Sequence, residues 1–304
     1  MKISRLVVWL IAILLAPASY VWCAQHVVII VIDGVRYTES LGAKEKYMAR
    51  LWNDLRPRGT IYTNFRNDGL TLTCPGHASI LTGNWQKIAN DGSEQFSNPT
   101  LFELFRKQTG LPEQSCCVIS GKSKLHVLTH SADTMLGMKY KANFVVNASG
   151  KNIDTYNALI SEMKKSHPRA VIVNFAETDK FGHDNKWDEY LRAIKEVDSL
   201  VWLLWQHIQS DSVYKDSTTL LVTNDHGRHD EQHGGFKSHG DACESCRHIM
   251  LAAVGPEFKP GTVVSETASQ VDIAPTAAQI LNITFPIVQG RSLLHRTTNA
   301  TEAR

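Results

Sequence analysis

The chain has 304 residues, of which 43% are hydrophobic, and its 32 lysines and arginines nearly balance its 30 acidic residues. This length and composition are typical of a globular protein with one large α/β domain. The balanced charge argues against binding to nucleic-acid duplexes, because such binding depends on neutralising many phosphates. No internal repeat or low-complexity segment interrupts the sequence.

The amino terminus has the pattern of an export signal. Lys2 and Arg5 precede an apolar run at 6–15, and small residues follow at 16–18. A basic start, a short apolar core and a small-residue site together predict a signal peptide. The run is shorter than the ~20 residues of a membrane-spanning helix, although a retained anchor is the alternative. We therefore expect an exported protein, periplasmic or secreted, without a stable membrane span after cleavage.

This pattern divides the chain into three parts. We expect a signal peptide at 1–24, one folded domain at 25–296 and a polar tail at 297–304 that frays. Signal cleavage after Ala18 is the alternative to cleavage after Ala24.

Six cysteines fall in this exported chain, and disulfides persist in oxidising compartments. Cys243 and Cys246 form the predicted local disulfide, with zinc as the alternative use of a single C-x-x-C pair. Pairing of the adjacent Cys116 and Cys117 is left open.

The first predicted strand is the continuous apolar run from Gln25 to Ile32. Such a run, without polar alternation, is typical of a strand buried on both faces. It ends at Asp33 and Gly34, where glycine permits a turn and the carboxylate would lie at the carboxyl end of the strand. An ordinary Asp-Gly turn is the alternative interpretation.

A helix is predicted to begin near Pro75, because proline suits the first helical turn. This prediction places Thr73 or Cys74 at the cap. Threonine is a common helix cap, but a helix start also favours bound phosphate, so Thr73 could instead be a nucleophile. Cys74 is interpreted as a packing residue.

A short helix is predicted at Thr100–Gln108, and a strand follows at Cys116–Ser120. After this strand come Gly121 and two alternating lysines, Lys122 and Lys124. These lysines could be solvated, or both could donate charge-assisted hydrogen bonds to an anion.

The run from Ala170 to Ala176 predicts another strand, followed by Asp179 and His183. We expect these two residues on a loop that leads into a long amphipathic helix at Asp184–Gln209. Their spacing of four allows both side chains to reach one metal ion.

A further apolar run, Thr219–Thr223, predicts a strand that breaks at Asp225 and His226. A carboxylate and an imidazole side by side are natural zinc ligands, although a surface turn is the alternative. His239 follows, ahead of a strand at His248–Val254, and a short helix is expected between Val271 and Leu281. Because the carboxyl ends of parallel strands meet at one edge, these side chains should converge.

Six segments carry a resemblance to a known family: VIIVIDGVR, TCPGHASILTG, ETDKFGH, TNDHGR, the later HGD, and DIAPTAAQIL. In kind and order they resemble the alkaline phosphatase superfamily. The nearest resemblance is to its threonine-nucleophile members, the nucleotide pyrophosphatases/phosphodiesterases and the threonine-type bacterial alkaline phosphatases. The resemblance spans nearly all of 25–296. It implies a three-layer α/β/α sandwich with a mostly parallel central sheet and little or no cap domain.

The resemblance also implies two zinc ions (Zn2+) as cofactors. One would be held by Asp179, His183 and His239, and the other by Asp33, Asp225, His226 and Thr73. Thr73 would also be the nucleophile, since zinc can activate a hydroxyl that is unreactive at neutral pH. His233 competes for the role of His239, because both precede glycine; His239 is preferred for its place before the strand at 248–254.

The substrate implied is a small-molecule phosphate ester. Threonine-type phosphatases carry a Lys-x-Arg pair where this chain has Lys122 and Lys124, and two cations suit a monoester dianion. The family's oxyanion-donating asparagine would be Asn90, with Asn84 as the alternative. The backbone N–H of Cys74 is a further candidate donor.

The predicted activity is therefore hydrolysis of phosphate monoesters through a phosphothreonine intermediate. The alternatives are a nucleotide pyrophosphatase/phosphodiesterase and a zinc-binding protein without turnover. A sulfatase is disfavoured, because sulfatases carry a cysteine or serine at the position of Thr73, and threonine cannot become formylglycine. The sequence does not indicate the oligomeric state.

Overall fold

The computed structural model describes residues 24–286 and 288–295. The predicted signal peptide, except its last residue, and the predicted polar tail lie outside the described residues. Over the described part the strands are β1 (His26–Ile32), β2 (Thr60–Arg66), β3 (Cys116–Ser120), β4 (Asn143–Val146), β5 (Ala170–Phe175), β6 (Thr218–Thr223), β7 (His248–Val254), β8 (Thr262–Val264) and β9 (Ala268–Ser269). The α-helices are α1 (Thr73–Thr82), α2 (Leu101–Thr109), α3 (Asn152–Ser166), α4 (Glu177–His183), α5 (Trp187–Ser210), α6 (Glu244–Arg247) and α7 (Ile273–Ile280).

All of these strands belong to one sheet with the order β4-β3-β5-β1-β6-β7-β2-β8, and β9 pairs with β2. The central neighbours β5, β1 and β6 are parallel to one another. Only β7 runs antiparallel to its two neighbours, β6 and β2. The predicted mostly parallel α/β fold is confirmed.

The central strand β1 is buried along its whole length, which explains its continuous apolar sequence. Alternate side chains point to opposite faces of a strand. One face of β1 packs into the first core through Val27, Ile29 and Val31. The other face packs into the second core through Val28, Ile30 and Ile32.

Helices cover both faces of the sheet. The first core lies beneath α1, α2 and α7, and the second lies beneath α3 and α5. The long helix α5 buries a stripe at helical spacing that was visible in the sequence: Tyr190, Ile194, Val197, Val201 and Leu204. Within residues 24–286 and 288–295, no helix is both long and apolar enough to cross a membrane.

Two local expectations, one at the start of α1 and one after β5, differ from the structure. Helix α1 begins at Thr73 itself, and Leu72 occupies the extended capping position, so neither Thr73 nor Cys74 is the cap. Asp179 and His183 lie on helix α4 rather than on a loop, because the chain enters a helix directly after β5. Their spacing of four places both on one helical face.

The predicted disulfide between Cys243 and Cys246 is absent, since both are free thiols. Cys246 lies in the short helix α6, with Cys243 just before it, and the backbone N–H of Cys246 donates to the carbonyl of Cys243 at 3.1 Å. The two sulfur atoms lie within 4.8 Å of each other and of ligand atoms of His229 and Asp241, but they are not bonded.

Candidate metal centre

Three adjacent strands in the middle of the sheet position most of the candidate ligands. Asp33 follows β1, Asp179 lies in α4 just after β5, and Asp225 follows β6. Because these strands are parallel neighbours, the three carboxylates meet at one edge of the sheet. All three are almost completely buried.

Helix α1 brings Thr73 to the same edge. Gly76, one turn along this helix, packs against the backbone of Asp225, and a Cβ added at Gly76 would lie 2.9 Å from the Asp225 carbonyl oxygen. A side chain there would therefore push the helix start away from the carboxylates. Thr73 is 1% exposed and Asp225 is fully buried.

The first ligand group contains Asp33, Asp225, His226 and His77. His226 Nε2 lies 3.4 Å from Asp225 Oδ2 and 3.8 Å from Asp33 Oδ1. His77 Nδ1 lies 3.2 Å from Asp225 Oδ2 and 2.9 Å from the carbonyl oxygen of Thr73. The second oxygen of Asp225, Oδ1, accepts the backbone N–H of Gly34 at 3.1 Å.

The second ligand group contains Asp179, His183 and His239. Asp179 Oδ1 lies 3.3 Å from His183 Nε2 and 3.5 Å from His239 Nε2. The two imidazole nitrogens are 3.0 Å apart. His239 Nδ1 contacts the carbonyl oxygen of Thr71 at 2.8 Å, which leaves Nε2 directed at the group.

The two groups share a boundary at His226, whose ring stacks on that of His239 with centroids 3.8 Å apart. At this site two sets of three ligand atoms lie within 4.8 Å of one another: Asp179 with His226 and His239, and Asp33 with His77 and Asp225. From the sequence, His226 was expected in the second of these sets and His77 in neither. The structure thus brings every predicted ligand together and adds one more histidine.

Lys122 joins the two groups to the threonine. Its Nζ lies 2.8 Å from Asp33 Oδ2 and 2.6 Å from Asp179 Oδ2, and it donates to Thr73 Oγ1 at 3.4 Å. Burial opposes the charge of Lys122, but the two carboxylates outweigh this effect and raise its pKa above the ordinary lysine value. Lys122 is therefore a cation at neutral pH rather than a base.

Lys124 and Asn90 form a second contact beside the helix start. Lys124 Nζ donates to the Asn90 carbonyl at 2.9 Å and to its side-chain oxygen at 3.3 Å. The same side-chain oxygen accepts the backbone N–H of Cys74 at 2.9 Å. The N–H of Cys74 is thus engaged with Asn90 and is not the free donor expected from the sequence.

Asn84 and His233, which competed with Asn90 and His239 for their roles, lie away from the carboxylates. Asn84 follows the far end of α1, where its amide donates to the carbonyl of Thr82 at 3.1 Å. His233 is exposed and pairs with Asp230 at 2.6 Å. Asn90 and His239 are therefore the residues that reach the site.

The three carboxylates have different proton affinities. Burial opposes ionisation of Asp179, but Lys122, His183 and Arg228 outweigh it and hold its pKa well below the ordinary value. Burial likewise opposes ionisation of Asp225, whose pKa is nevertheless lowered by His226 and His77. At Asp33 burial and the neighbouring Asp225 prevail and raise the pKa. The site therefore concentrates negative charge that a cation would relieve.

Buried polar atoms without hydrogen-bond partners also indicate that this site can hold metal ions. Within the described part of the chain, three buried atoms that face each other have no hydrogen-bond partner: Asp33 Oδ1, Asp225 Oδ2 and His226 Nε2. Buried polar atoms are rarely left unpaired, and the binding of an ion is one of the usual reasons. Imidazole nitrogen with carboxylate oxygen is a donor set that suits zinc.

Sequence reasoning missed three residues at the site: His77, Asn174 and Arg228. Asn174, a single polar residue inside the apolar strand β5, donates to Asp33 Oδ2 at 2.7 Å and contacts His77 Nε2 at 3.1 Å. Arg228 is fully buried and donates to Asp179 Oδ1. Two features of the sequence could have indicated these residues. Asn174 is a polar residue in an apolar run, and His77 lies one helical turn after Thr73.

Comparison with protein families gives a match over more than half of the chain. A sequence model described as Metalloenzyme superfamily matches residues 119–284. This segment includes both lysines after β3 and the ligand candidates from Asp179 to His239.

Curated relatives share part of the sequence. A 2,3-bisphosphoglycerate-independent phosphoglycerate mutase of Gracilaria tenuistipitata var. liui is 26% identical over 138 residues, which are 44% of this chain and 26% of that protein. A phosphopentomutase of Alkaliphilus metalliredigens is 25% identical over 172 residues, 54% of this chain and 40% of that protein. The chain thus spans only 26% of the first relative's length.

Solved structures share the fold over nearly the whole chain. The phosphonate monoester hydrolase from Silicibacter pomeroyi has a TM-score of 0.65 at 16% identity, covering 92% of this chain and 78% of that one. An inactive threonine-to-alanine variant of murine ectonucleotide pyrophosphatase/phosphodiesterase 5, in complex with AMP, has a TM-score of 0.67 at 13% identity, covering 91% and 100%. A protein of the alkaline phosphatase superfamily from Vibrio parahaemolyticus has a TM-score of 0.67 at 15% identity, covering 89% and 70%.

Proposed function

The chain belongs to the Metalloenzyme superfamily, which has the alkaline-phosphatase-like fold, and we propose that it is an exported two-zinc hydrolase of phosphate monoesters. Its nucleophile is Thr73, and its intermediate is a phosphothreonine. One observation carries the proposal: Lys122 contacts the Thr73 hydroxyl and a carboxylate of each ligand group at the same time.

Seven side chains would hold the two ions. Asp33, Asp225, His226 and Thr73 belong to one position, and Asp179, His183 and His239 belong to the other. When bound, two zinc ions lower the pKa of oxygens that coordinate them and neutralise charge on the reacting phosphoryl group. His226 lies between the two ligand groups, and His77 contacts both Asp225 and the carbonyl oxygen of Thr73.

Thr73 performs the first step of the proposed reaction. Its oxygen attacks phosphorus, the new Oγ1–P bond forms, the bond from phosphorus to the leaving oxygen breaks, and the hydroxyl proton of Thr73 ends on the leaving alcohol. Because Thr73 is the first residue of α1, the helix dipole favours phosphate at this position. Water then attacks the phosphothreonine from the opposite side, which releases inorganic phosphate and regenerates the hydroxyl. Two in-line displacements give overall retention at phosphorus.

Lys122, Lys124 and Asn90 support the preference for monoesters. A monoester dianion carries one more negative charge than a diester, and donors that meet developing charge contribute strongly to catalysis. Lys122 is held at Thr73 by Asp33 and Asp179. Lys124 and the backbone of Cys74 both occupy the side-chain oxygen of Asn90, so the amide nitrogen of Asn90 is the atom left to donate to substrate.

Three competing functions are open to experiment. A nucleotide pyrophosphatase/phosphodiesterase would use the same threonine and metals but accept a second ester group, as the name of the murine neighbour suggests. A mutase, as in the curated relatives, would return the phosphoryl group to another hydroxyl rather than to water. A zinc-binding protein without turnover would have no use for a threonine held among the ligands.

The test compares p-nitrophenyl phosphate with bis-p-nitrophenyl phosphate, each with metal-free and zinc-loaded protein. The proposal predicts zinc-dependent release of inorganic phosphate, with faster turnover of the monoester. Faster turnover of the diester would select the phosphodiesterase. Zinc uptake without turnover of either compound would select the binding protein, and phosphate transfer to an added alcohol without hydrolysis would select the mutase.

Export is a separate part of the proposal and rests on the sequence at 1–24. Amino-terminal sequencing of protein recovered outside the cytoplasm should find a start at Gln25 or at Ser19. Full-length protein retained in the cytoplasm would contradict export without affecting the catalytic proposal.

A further inference from the structure

A second cluster of metal-binding side chains lies outside the site described above. It contains His229, Asp241, Cys243 and Cys246, whose ligand atoms all lie within 4.8 Å of one another. His229 comes three residues after His226, and the remaining three follow His239. The cluster thus connects the two ends of the segment that carries His239.

The cluster joins buried side chains to an exposed one at the edge of the domain. His229 Nε2 is buried, lies 3.2 Å from Asp241 Oδ2 and makes no hydrogen bond within the described residues. Asp241 Oδ1 accepts the backbone N–H of Cys243 at 3.0 Å, which turns its second oxygen toward the imidazole. Cys246 is fully buried, although its neighbour Asp241 is exposed.

The chemistry of these four residues suits zinc. Two thiolates, one imidazole and one carboxylate supply the four donors of a closed tetrahedral site. Around zinc, donors of this kind lie roughly 3.3–3.8 Å apart, so small side-chain rotations bring the four atoms onto one ion. The C-x-x-C spacing, weak evidence for zinc by itself, is completed here by two ligands from other positions.

The backbone around the cluster already joins the two ends of the loop. The N–H of Gly227 donates to the carbonyl of Cys246 at 2.8 Å, and the N–H of His229 donates to the carbonyl of Ser238 at 2.9 Å. An ion between His229 and the cysteines would cross-link the same two segments. Metal cross-links of this kind stabilise a fold because the unfolded chain lacks the preformed site.

We propose that His229, Asp241, Cys243 and Cys246 bind a structural zinc ion, separate from the catalytic metals, that fixes the loop carrying His239. Binding of this ion is independent of the proposed function. Its effect on catalysis, through the position of His239, rests on that function.

Cobalt substitution tests the site without measuring activity. Cobalt bound to thiolates has an intense near-ultraviolet charge-transfer absorption, which cobalt bound only by histidine and carboxylate lacks. The full chain, isolated without reductant or chelator and reloaded with Co2+, should show this band. The double variant Cys243→Ser/Cys246→Ser should lose this band. Two controls should keep it: Cys117→Ala, which removes a thiol elsewhere, and Asp225→Asn, which disrupts the catalytic group.

Zinc content and thiol reactivity of the unaltered chain provide a second measurement that needs no variant. We expect one zinc more than the catalytic site holds, and two thiols that react with a thiol reagent only after a chelator removes zinc. A cobalt band that is absent from the wild type or unchanged in the double serine variant overturns the proposal. A mass showing Cys243 and Cys246 joined as a disulfide in the isolated protein overturns it equally.

Discussion

The ammonium nitrogen of Lys122 lies 3.4 Å from the hydroxyl oxygen of Thr73, to which it donates a hydrogen bond. The same nitrogen contacts Asp33 and Asp179. Lys122 is therefore placed to donate to a phosphoryl oxygen when Thr73 attacks, and the carboxylates around it keep it charged.

This position predicts that Lys122→Ala slows monoester hydrolysis by about 100-fold, the usual loss for one charge-stabilising donor. Diester hydrolysis should fall by roughly tenfold or less, because a diester carries less charge on its non-bridging oxygens. Steady-state rates on the two p-nitrophenyl substrates measure the difference. Zinc affinity should not fall, since the substitution removes a cation from between the ligands. An equal loss of activity on both substrates would remove the reason for preferring monoesters.

Thr73→Ala should abolish hydrolysis while leaving zinc binding largely intact, because six other ligands remain. Thr73→Ser is the matched control, since it keeps the hydroxyl, and it should retain measurable turnover. Rates and zinc content are measured on the same preparations. Activity retained in the alanine variant would exclude Thr73 as the nucleophile.

The contacts of His77 predict that its replacement weakens metal binding rather than the chemical step. It contacts Asp225 at 3.2 Å and the carbonyl of Thr73 at 2.9 Å, and it is completely buried. Removal of a group that orients a metal ligand typically weakens metal binding by about 10–100-fold. His77→Ala should show this loss in a chelator competition, and excess zinc should restore much of the activity.

Ser79→Ala is the control for His77, because Ser79 is buried on the same helix but bonds to Pro75 and Gln86. Its zinc affinity should match that of the wild type. If His77→Ala bound zinc as tightly as Ser79→Ala, His77 would have no part in the centre.

His26 is expected to make the stability of the fold depend on pH. It lies at the start of β1, far from the metal centre. Burial, assisted by Arg169, lowers the pKa of His26 to about 4 from the ordinary value of 6.5. The unfolded chain therefore binds a proton at His26 at a higher pH than the folded chain does. Stability contributed by neutral His26 is present above pH 6.5 and is lost as pH falls towards 4.

His26→Gln removes this titration. Between pH 7 and pH 4 the wild type should lose on the order of 3 kcal/mol more unfolding free energy than the variant. Denaturant unfolding of both proteins in the same buffers measures the difference, and metal release at low pH affects both alike. Parallel pH profiles would show that His26 titrates equally in the folded and unfolded states.

The sequence predicted the centre of the sheet well. The strands β3 and β7 have the predicted bounds, Cys116–Ser120 and His248–Val254, because continuous apolar runs mark strands buried on both faces. Strands β2, β4, β8 and β9 and helices α3 and α6 were not predicted. The side chains of β4 are half-exposed or exposed, and α3 buries few of its residues, so neither has a strong apolar pattern.

The candidate site was predictable where its residues follow strand ends, as with Asp33 and Asp225. His77, Asn174 and Arg228 were missed for a different reason. Each lies within or just beyond an element where packing is the usual role of a side chain. Their contacts with the carboxylates arise only when α1, β5 and the loop after β6 pack together, and no local pattern encodes that meeting.

The division of ligands between two metal positions was also beyond local reasoning. His226 lies within 3.4 Å of Asp225 and stacks on His239, so its neighbours in sequence do not decide which ion it binds. The positions of the two ions decide it.

Anomalous diffraction at the zinc absorption edge, on crystals of active protein, locates those ions directly. We expect two peaks beside Thr73, one bounded by Asp33 and Asp225 and the other by Asp179, His183 and His239. Active crystals without anomalous density between these residues, or with zinc bound only elsewhere on the chain, would contradict the two-zinc centre.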